Sequence, residues 1–426
     1  MTLFVLFFTF AVLLLLSVPI GITMGVSALF ALIADGRIPL IVIIQKLFTG
    51  MDSLPLLAVP FFMLAGQLME SGGISNRLVR FAKSLVGHLR GGLAMVTVVS
   101  SMIFAGISGS SSADTTAIGS LLIPSMIKNG YTRGFAATLQ ACAGTIGPVI
   151  PPSILMIIYG SITGLSIAEM FLAGVIPGFF IGLGLMVASY LYAVKEGYAK
   201  FEKAPFKEIV QSFIDSIWAL IMPLIIIGGI LLGVFTATEA GMVAVLYALF
   251  VGMVVYKEIK IADLPRLLVH SAKVSSSLMI IAGMANIFAW VLAREQFPRI
   301  AVNFLAGIST NPGIVMLLVI AFFLILGCFV ETLAAMIIFV PILQPLVTQF
   351  GFDPIHFALV IIGTLLIGQV TPPVGVLLFL TTKMAKAEFR ETMRYIPGFV
   401  GMMIIVLLII AFVPDLVMYL PRLVFK

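Results

Sequence analysis

The sequence predicts an all-α integral membrane protein made of two inverted-topology repeats. Each repeat has about five transmembrane helices, a re-entrant helical hairpin and a Pro-broken helix. Three observations predict this. Of 426 residues, 61% are hydrophobic and 10% are charged. Two apolar stretches are too long for one span, and each is interrupted by a small polar tip. The tips, and the double prolines that follow them, recur in the second half of the chain at one constant offset, that from Gly106 to Gly327.

Composition comes first. Mean hydropathy is +1.23, whereas a soluble domain carries about 25% charged residues. No soluble core could hide so much apolar side chain, so lipid must solvate much of the surface. The formal net charge of +6 does not point to nucleic acid, because basic residues in cytoplasmic loops account for it. The 2 cysteines, Cys142 and Cys328, lie in apolar stretches and predict no disulfide. The first apolar stretch, near residues 3–33, is too long for a signal peptide and lacks a basic leader.

Apolar segments fall near 3–17, 19–33, 53–70, 91–128, 134–163, 166–193, 213–233, 239–256, 274–293, 313–348, 355–382 and 396–413. The segment 91–128 is interrupted by Gly106-Ile107-Ser108-Gly109-Ser110-Ser111-Ser112-Ala113-Asp114, and 313–348 by Gly327-Cys328-Phe329-Val330-Glu331-Thr332. A hairpin of two half-helices fits each, its tip lined by protein or a water-filled cavity. The segments 134–163 and 355–382 are broken at Thr145-Ile146-Gly147-Pro148-Val149-Ile150-Pro151-Pro152-Ser153 and Gly368-Gln369-Val370-Thr371-Pro372-Pro373-Val374-Gly375. Proline lacks the N–H and clashes with the preceding turn, so these runs unwind a helix and free its terminal backbone groups.

The pairs Gly106 and Gly327, Gly130 and Gly351, and Pro151 and Pro372 all share the same separation in sequence. Ile176-Pro177-Gly178-Phe179 and Ile396-Pro397-Gly398-Phe399 follow it to within a single position. The first repeat therefore spans residues 1–205, with scaffold helices in 1–70, the hairpin 91–128 and the broken helix 134–163. The second spans 206–426, with scaffold helices in 213–293, the hairpin 313–348 and the broken helix 355–382. Five spans per repeat would flip the second half. With the base of the first hairpin in the cytoplasm, 18 of the 24 Lys and Arg face that side, and Arg37, Lys46, Arg294, Arg299, Arg422 and Lys426 do not. This is the positive-inside bias. Residues 37–50 and 257–273 mix apolar and charged side chains and suit helices lying at the interface, with Ile74–Leu89 as a third candidate or a plain loop.

Inverted repeats with broken helices are an architecture of secondary transport. Unwound carbonyls and hydroxyls coordinate sodium, and half-helix N-termini receive anions. The tips and breaks offer Ser108, Ser110, Ser111, Ser112, Asp114, Ser153, Glu331, Thr332 and Thr371. With four extra residues allowed in the first tip, Asp114-Thr115 corresponds to Glu331-Thr332. The two acids either cap their half-helices or bind a cation or proton; both readings stand. Serines beside glycine also serve close helix packing. Neither tip nor break carries Lys or Arg, and no P-loop, nucleophile–base pair or metal-ligand spacing occurs. ATP hydrolysis and other enzymatic chemistry are not expected.

At Ser108-Gly109-Ser110-Ser111-Ser112-Ala113-Asp114, Gly147-Pro148-Val149-Ile150-Pro151-Pro152-Ser153, Pro60-Phe61-Phe62-Met63-Leu64-Ala65-Gly66, Phe235-Thr236-Ala237-Thr238-Glu239-Ala240 and Thr371-Pro372-Pro373-Val374-Gly375 the chain resembles the large membrane subunit of tripartite ATP-independent periplasmic (TRAP) transporters. The resemblance covers essentially the whole chain. It departs at Ala237, where the family often has Pro.

The resemblance implies sodium-coupled uptake of an organic acid, such as a C4-dicarboxylate, sialic acid or sugar acid, by an elevator motion in the bacterial inner membrane. It implies a periplasmic substrate-binding protein and a small membrane subunit, here expected on a separate chain. Membrane lipid surrounds the protein, and no nucleic acid is involved. Two or more co-transported sodium ions are implied, one at Ser108, Ser111 and the carbonyls of Gly147, Val149 and Pro151, another at Gly327, Gly368 and Thr371. Substrate is expected between the tips, near Ser110, Ser112, Asp114, Ser153, Glu331 and Thr332. The alternatives are a self-sufficient sodium/anion symporter of related fold and a non-transporting membrane subunit.

Overall fold

The computed structural model describes residues 1–425; Lys426, counted above among the basic residues, lies outside them. The described residues form helices joined by turns, without strands. Among the described residues, six helices are long and apolar enough to cross a membrane, or up to eight if each of two bent pairs is one span.

The chain opens with α1 (Thr2–Leu15) and α2 (Ile20–Asp35), which pack on each other. Next come α3 (Ile41–Met51), α4 (Ala58–Ser71) and α5 (Ile74–Val86). The chain bends by 60° between α3 and the segment Pro55–Ser71. Both α3 and α5 fall where interfacial helices are expected. On α5, Arg77 pairs with Glu258 at 2.8 Å while Leu78 and Ala82 are buried, the division of an amphipathic helix.

The first hairpin is α6 (Gly92–Ser108) and α7 (Ser111–Lys128), and the first broken helix is α8 (Arg133–Gly144) and α9 (Ile154–Thr163). A 30-residue helix, α10 (Ile167–Glu196), leads to α11 (Phe206–Leu231), α12 (Ala237–Phe250), α13 (Leu264–Arg294) and α14 (Phe297–Ile308). The second hairpin is α15 (Pro312–Phe329) and α16 (Thr332–Phe350), and the second broken helix is α17 (Pro354–Gly368) and α18 (Val376–Ala385). The chain closes with α19 (Phe389–Met393), α20 (Ile396–Phe412) and α21 (Pro414–Val424).

One expectation is corrected, and two helices lie outside the apolar segments read from the sequence. Residues 257–273 are not a separate interfacial helix: after a 3-10 turn at Ile261–Asp263, α13 runs unbroken for 31 residues. Only Pro265 interrupts its early sequence, at a first-turn position where the missing N–H costs nothing. The segment Phe297–Ile308, between two of the apolar segments, is the helix α14. Beyond the apolar segment that forms α20, the chain turns by 59° into α21.

The two hairpins and two broken helices pack as a crossed set. Both α7 and α16 contact the first half of their own broken helix, α8 and α17, and the second half of the other one, α18 and α9. Around them α4 packs on α12, α5 on α11, and α13 against α2, α3 and α16. The buried core is apolar, with Phe104, Phe135, Phe323 and Phe357 fully enclosed.

Candidate functional site

Each tip is shaped by its capping residues. Gly109 ends α6 in the left-handed region (φ 59°), Ser110 is extended, and its hydroxyl accepts from Ala113 N–H at the start of α7. At the second tip Val330 and Glu331 are extended, and the Glu331 carboxylate accepts from Ala334 N–H at 3.2 Å. The N-caps are thus Ser110 and Glu331, and their separation is the same as that of Gly106 and Gly327. This corrects the four-residue allowance: Asp114 is the fourth residue of α7, not its cap, and Ser111 corresponds to Thr332.

The breaks hold the tips closely. Gly109 packs against the Pro152 carbonyl, and Ile154 N–H donates to the Gly109 carbonyl at 3.3 Å. Gly147 lies against the Ser110 carbonyl; a Cβ there would stand 3.0 Å from that oxygen. On the other side Gly327 and Gly368 touch backbone to backbone, and a Cβ on Gly368 would come within 2.6 Å of Gly327 Cα. Small residues permit this approach where larger ones would force the helices apart.

Ser111 and four of the six residues expected at the substrate, Ser110, Ser112, Glu331 and Thr332, meet. A cavity of about 210 Å³ is lined by Ser110, Ser111 and Ser112 of the first tip, Glu331 and Thr332 of the second, Pro148 of the first break and Gln369 of the second. Val274 and Leu278 of α13 form its far wall. A second cavity, about 710 Å³, shares Met63, Ser110, Ser112, Ile154 and Val274 with the first. It continues past Ser108 toward Glu70, Arg266 and His270.

Gln369 is a site residue that the sequence reading missed. The Ser111 hydroxyl donates to its amide oxygen at 3.1 Å, across the two halves. The signal available in sequence is its place inside the Gly368–Gly375 break.

Other expected residues sit apart. The Ser153 hydroxyl donates to the Pro148 carbonyl and accepts from Met156 N–H at 3.2 Å, so it closes the break and caps α9. Asp114 lines neither cavity; it is fully buried within the hairpin. The Val149 carbonyl points at Gly174 of α10, away from the tip, whereas the Pro151 carbonyl lies near Gly106. Ser108 is 3% exposed and its hydroxyl accepts from Ser110 N–H at 3.4 Å. The Thr371 hydroxyl donates to the Ile367 carbonyl at 2.7 Å, beside the Gly327–Gly368 contact.

Comparison with known proteins identifies the family. The pattern of the family described as "Tripartite ATP-independent periplasmic transporter, DctM component" matches residues 7–416. The chain is 38% identical to the sialic acid TRAP transporter large permease protein SiaM of Vibrio cholerae over 411 residues, covering 96% of each. It is 38% identical to the C4-dicarboxylate TRAP transporter large permease protein DctM of Pseudomonas aeruginosa, covering 88% of each. It is also 38% identical to the isethionate TRAP transporter permease protein DctMQ of Oleidesulfovibrio alaskensis, covering 97% of this chain but 66% of that protein. Among solved structures, the Alcanivorax borkumensis YdaH transporter shares the fold, with TM-score 0.58 and 13% identity over 88% of each chain. The chain therefore belongs to the DctM-component family of tripartite ATP-independent periplasmic transporters, as a multi-pass permease of the inner membrane.

Proposed function

We propose that the chain carries a small organic acid across the inner membrane, driven by sodium and supplied by a periplasmic binding protein. The observation that carries this reading is the cavity of about 210 Å³ in which both tips and both breaks converge. Its lining offers hydroxyls, an amide, the Glu331 carboxyl and helix N-termini, but no Lys or Arg. Such donors suit an anion whose charge is balanced by co-transported cations. The relatives support organic acids as the class: sialic acid and C4-dicarboxylates are named for SiaM and DctM.

Sodium belongs to the two tip–break contacts. The first set is Ser108, Ser111 and the Gly147 and Pro151 carbonyls, with Val149 aimed elsewhere. The second is Gly327, Gly368 and Thr371. The chain is read as two inverted repeats, with the hairpins, broken helices, α10 and α20 moving as one body against α1–α4 and α11–α13. The basic-residue bias puts Arg266 and His270 on the cytoplasmic side, so the larger cavity faces the cytoplasm. A small membrane subunit docks on the scaffold, where Phe4, Phe8, Ile44 and Phe48 are exposed. The third of DctMQ that lies beyond this chain's match leaves room for such a subunit in one polypeptide.

The test is uptake into proteoliposomes holding the chain with its small subunit, with and without binding protein, under an inward sodium gradient at fixed membrane potential. Uptake is expected to require both sodium and binding protein and to ignore ATP. Undiminished uptake with potassium in place of sodium would refute the sodium reading. Undiminished uptake without binding protein would favour a self-sufficient symporter.

A further inference from the structure

Asp114 has no exposed surface, and among the described residues neither of its carboxylate oxygens has a hydrogen-bond partner. The side-chain group facing it is the Ser101 hydroxyl of α6, itself buried and without a partner. Thr115, the next residue on α7, and Gln140 on α8 are likewise fully buried with unpartnered polar atoms. Among the described residues no Lys, Arg or His pairs with Asp114. An isolated carboxylate in such surroundings is very costly, so something must neutralise it.

Hairpin packing does not require it. At the corresponding positions of the second hairpin, in the register that pairs Ser110 with Glu331, Asp114 is replaced by Ala335 and Ser101 by Phe322. Thr115 and Gln140 become Met336 and Ile361. Ala335, Met336 and Ile361 are buried in ordinary apolar packing. The polar set belongs to the first half of the chain alone, and it lies apart from the cavity that joins the tips.

We infer that the Asp114 carboxylate and the Ser101 hydroxyl form a sodium site inside the first hairpin, separate from the two tip–break contacts. A carboxylate supplies the full charge that carbonyls and hydroxyls at the breaks do not, so this site holds its ion more firmly. Bound there, the ion ties α6 to α7 and stiffens the hairpin that carries Ser110–Ser112. The inference rests on the sodium reading of the transport cycle, and the experiment separates the two.

The purified chain, with its small membrane subunit, is heated in sodium chloride over a concentration series, with choline chloride holding the ionic strength. Wild type is expected to gain Tm with sodium. Asp114→Asn, an isosteric neutral change, should match or exceed the wild-type Tm without sodium. It should raise the sodium concentration of half-maximal stabilisation about tenfold or more, the effect of removing the charged partner of a buried ion. Ser101→Ala should shift the same midpoint in the same direction by a smaller factor. If Asp114→Asn yields no folded protein, Ser101→Ala decides alone. A wild type without any sodium-dependent Tm refutes sodium coupling and this site with it. A wild type that responds, beside variants with an unchanged midpoint, overturns the site and leaves the coupling intact. A midpoint that follows pH in wild type and loses that dependence in Asp114→Asn, with sodium stabilisation otherwise equal, assigns the carboxylate to a proton and also overturns the sodium site.

Discussion

The Ser111 hydroxyl donates to the Gln369 amide oxygen across 3.1 Å, joining residues 258 positions apart. One belongs to the first tip and the other to the second break, so the bond crosses from one half of the chain to the other. It is also part of the cavity wall. Each half thus leans on the other at the point where cargo is expected.

Ser111→Ala and Gln369→Met should each slow uptake, and the double variant should be no slower than the worse single one. A coupling of about 0.5–1.5 kcal/mol is expected for a hydrogen bond of this kind. Initial uptake rates in the four-member cycle give the number. Additive losses would mean that the two residues act separately.

Gly368→Ala should destabilise the protein, because the added methyl group would stand 2.6 Å from Gly327 Cα, and backbone cannot step aside as a flexible side chain can. Overpacking of this sort costs about 1–3 kcal/mol. Thermal unfolding in detergent measures it, with Gly401→Ala as the control, since a Cβ there meets nothing within 4 Å. Equal Tm losses in the two variants would contradict the close crossing of α15 and α17.

Asp35 of α2 and Arg294 of α13 form an ion pair at 3.0 Å, with the Asp35 side chain only 6% exposed. Asp35→Ala leaves the partly exposed Arg294 with Glu295 at 3.4 Å as its remaining partner, so a loss of about 1 kcal/mol is expected. The lower Tm should appear without any change in the substrate concentration for half-maximal uptake, because the pair lies in the scaffold. A shifted half-maximal concentration at unchanged Tm would place Asp35 in the transport path instead.

Single cysteines report the motion. Ser112 is exposed in the cavity, whereas Thr332 is 1% exposed. Ser112→Cys should react with a membrane-impermeant thiol reagent from the side of Arg266 and His270, and Thr332→Cys should resist. Conditions that protect one should expose the other from the opposite face. Labelling of the two that varies independently with sodium would rule out a shared moving body.

The hairpins and breaks are legible in the sequence because Gly, Ser and Pro interrupt apolar runs that lipid would otherwise keep continuous. The helices α14 and α21 are not, since short segments that mix charge with apolar residues look like loops until a neighbour covers one face. The misplacement of Asp114 has a local cause. Ser108, Ser110, Ser111, Ser112 and Asp114 can all cap a helix, and only the backbone entering α7 selects Ser110. Once that choice is made, every residue after it turns to a new direction, and Asp114 swings inward. Gln369 escapes for a different reason: its partner lies in the other half, and no local pattern encodes a contact over that distance.

On the proposed transport reading, the unbroken course of α13 sets the shape of the way out. Leu278 and Val274 border the small cavity, and Val274, His270 and Arg266 border the large one. These four stand at every fourth position, along one face of an unbroken helix. The stripe descends about 18 Å at about 1.5 Å per residue. Its rungs pass from greasy to imidazole to guanidinium. On the proposed route an acid leaving the tips would meet a graded ladder along a single helix, and the order of its rungs can be rewritten one turn at a time.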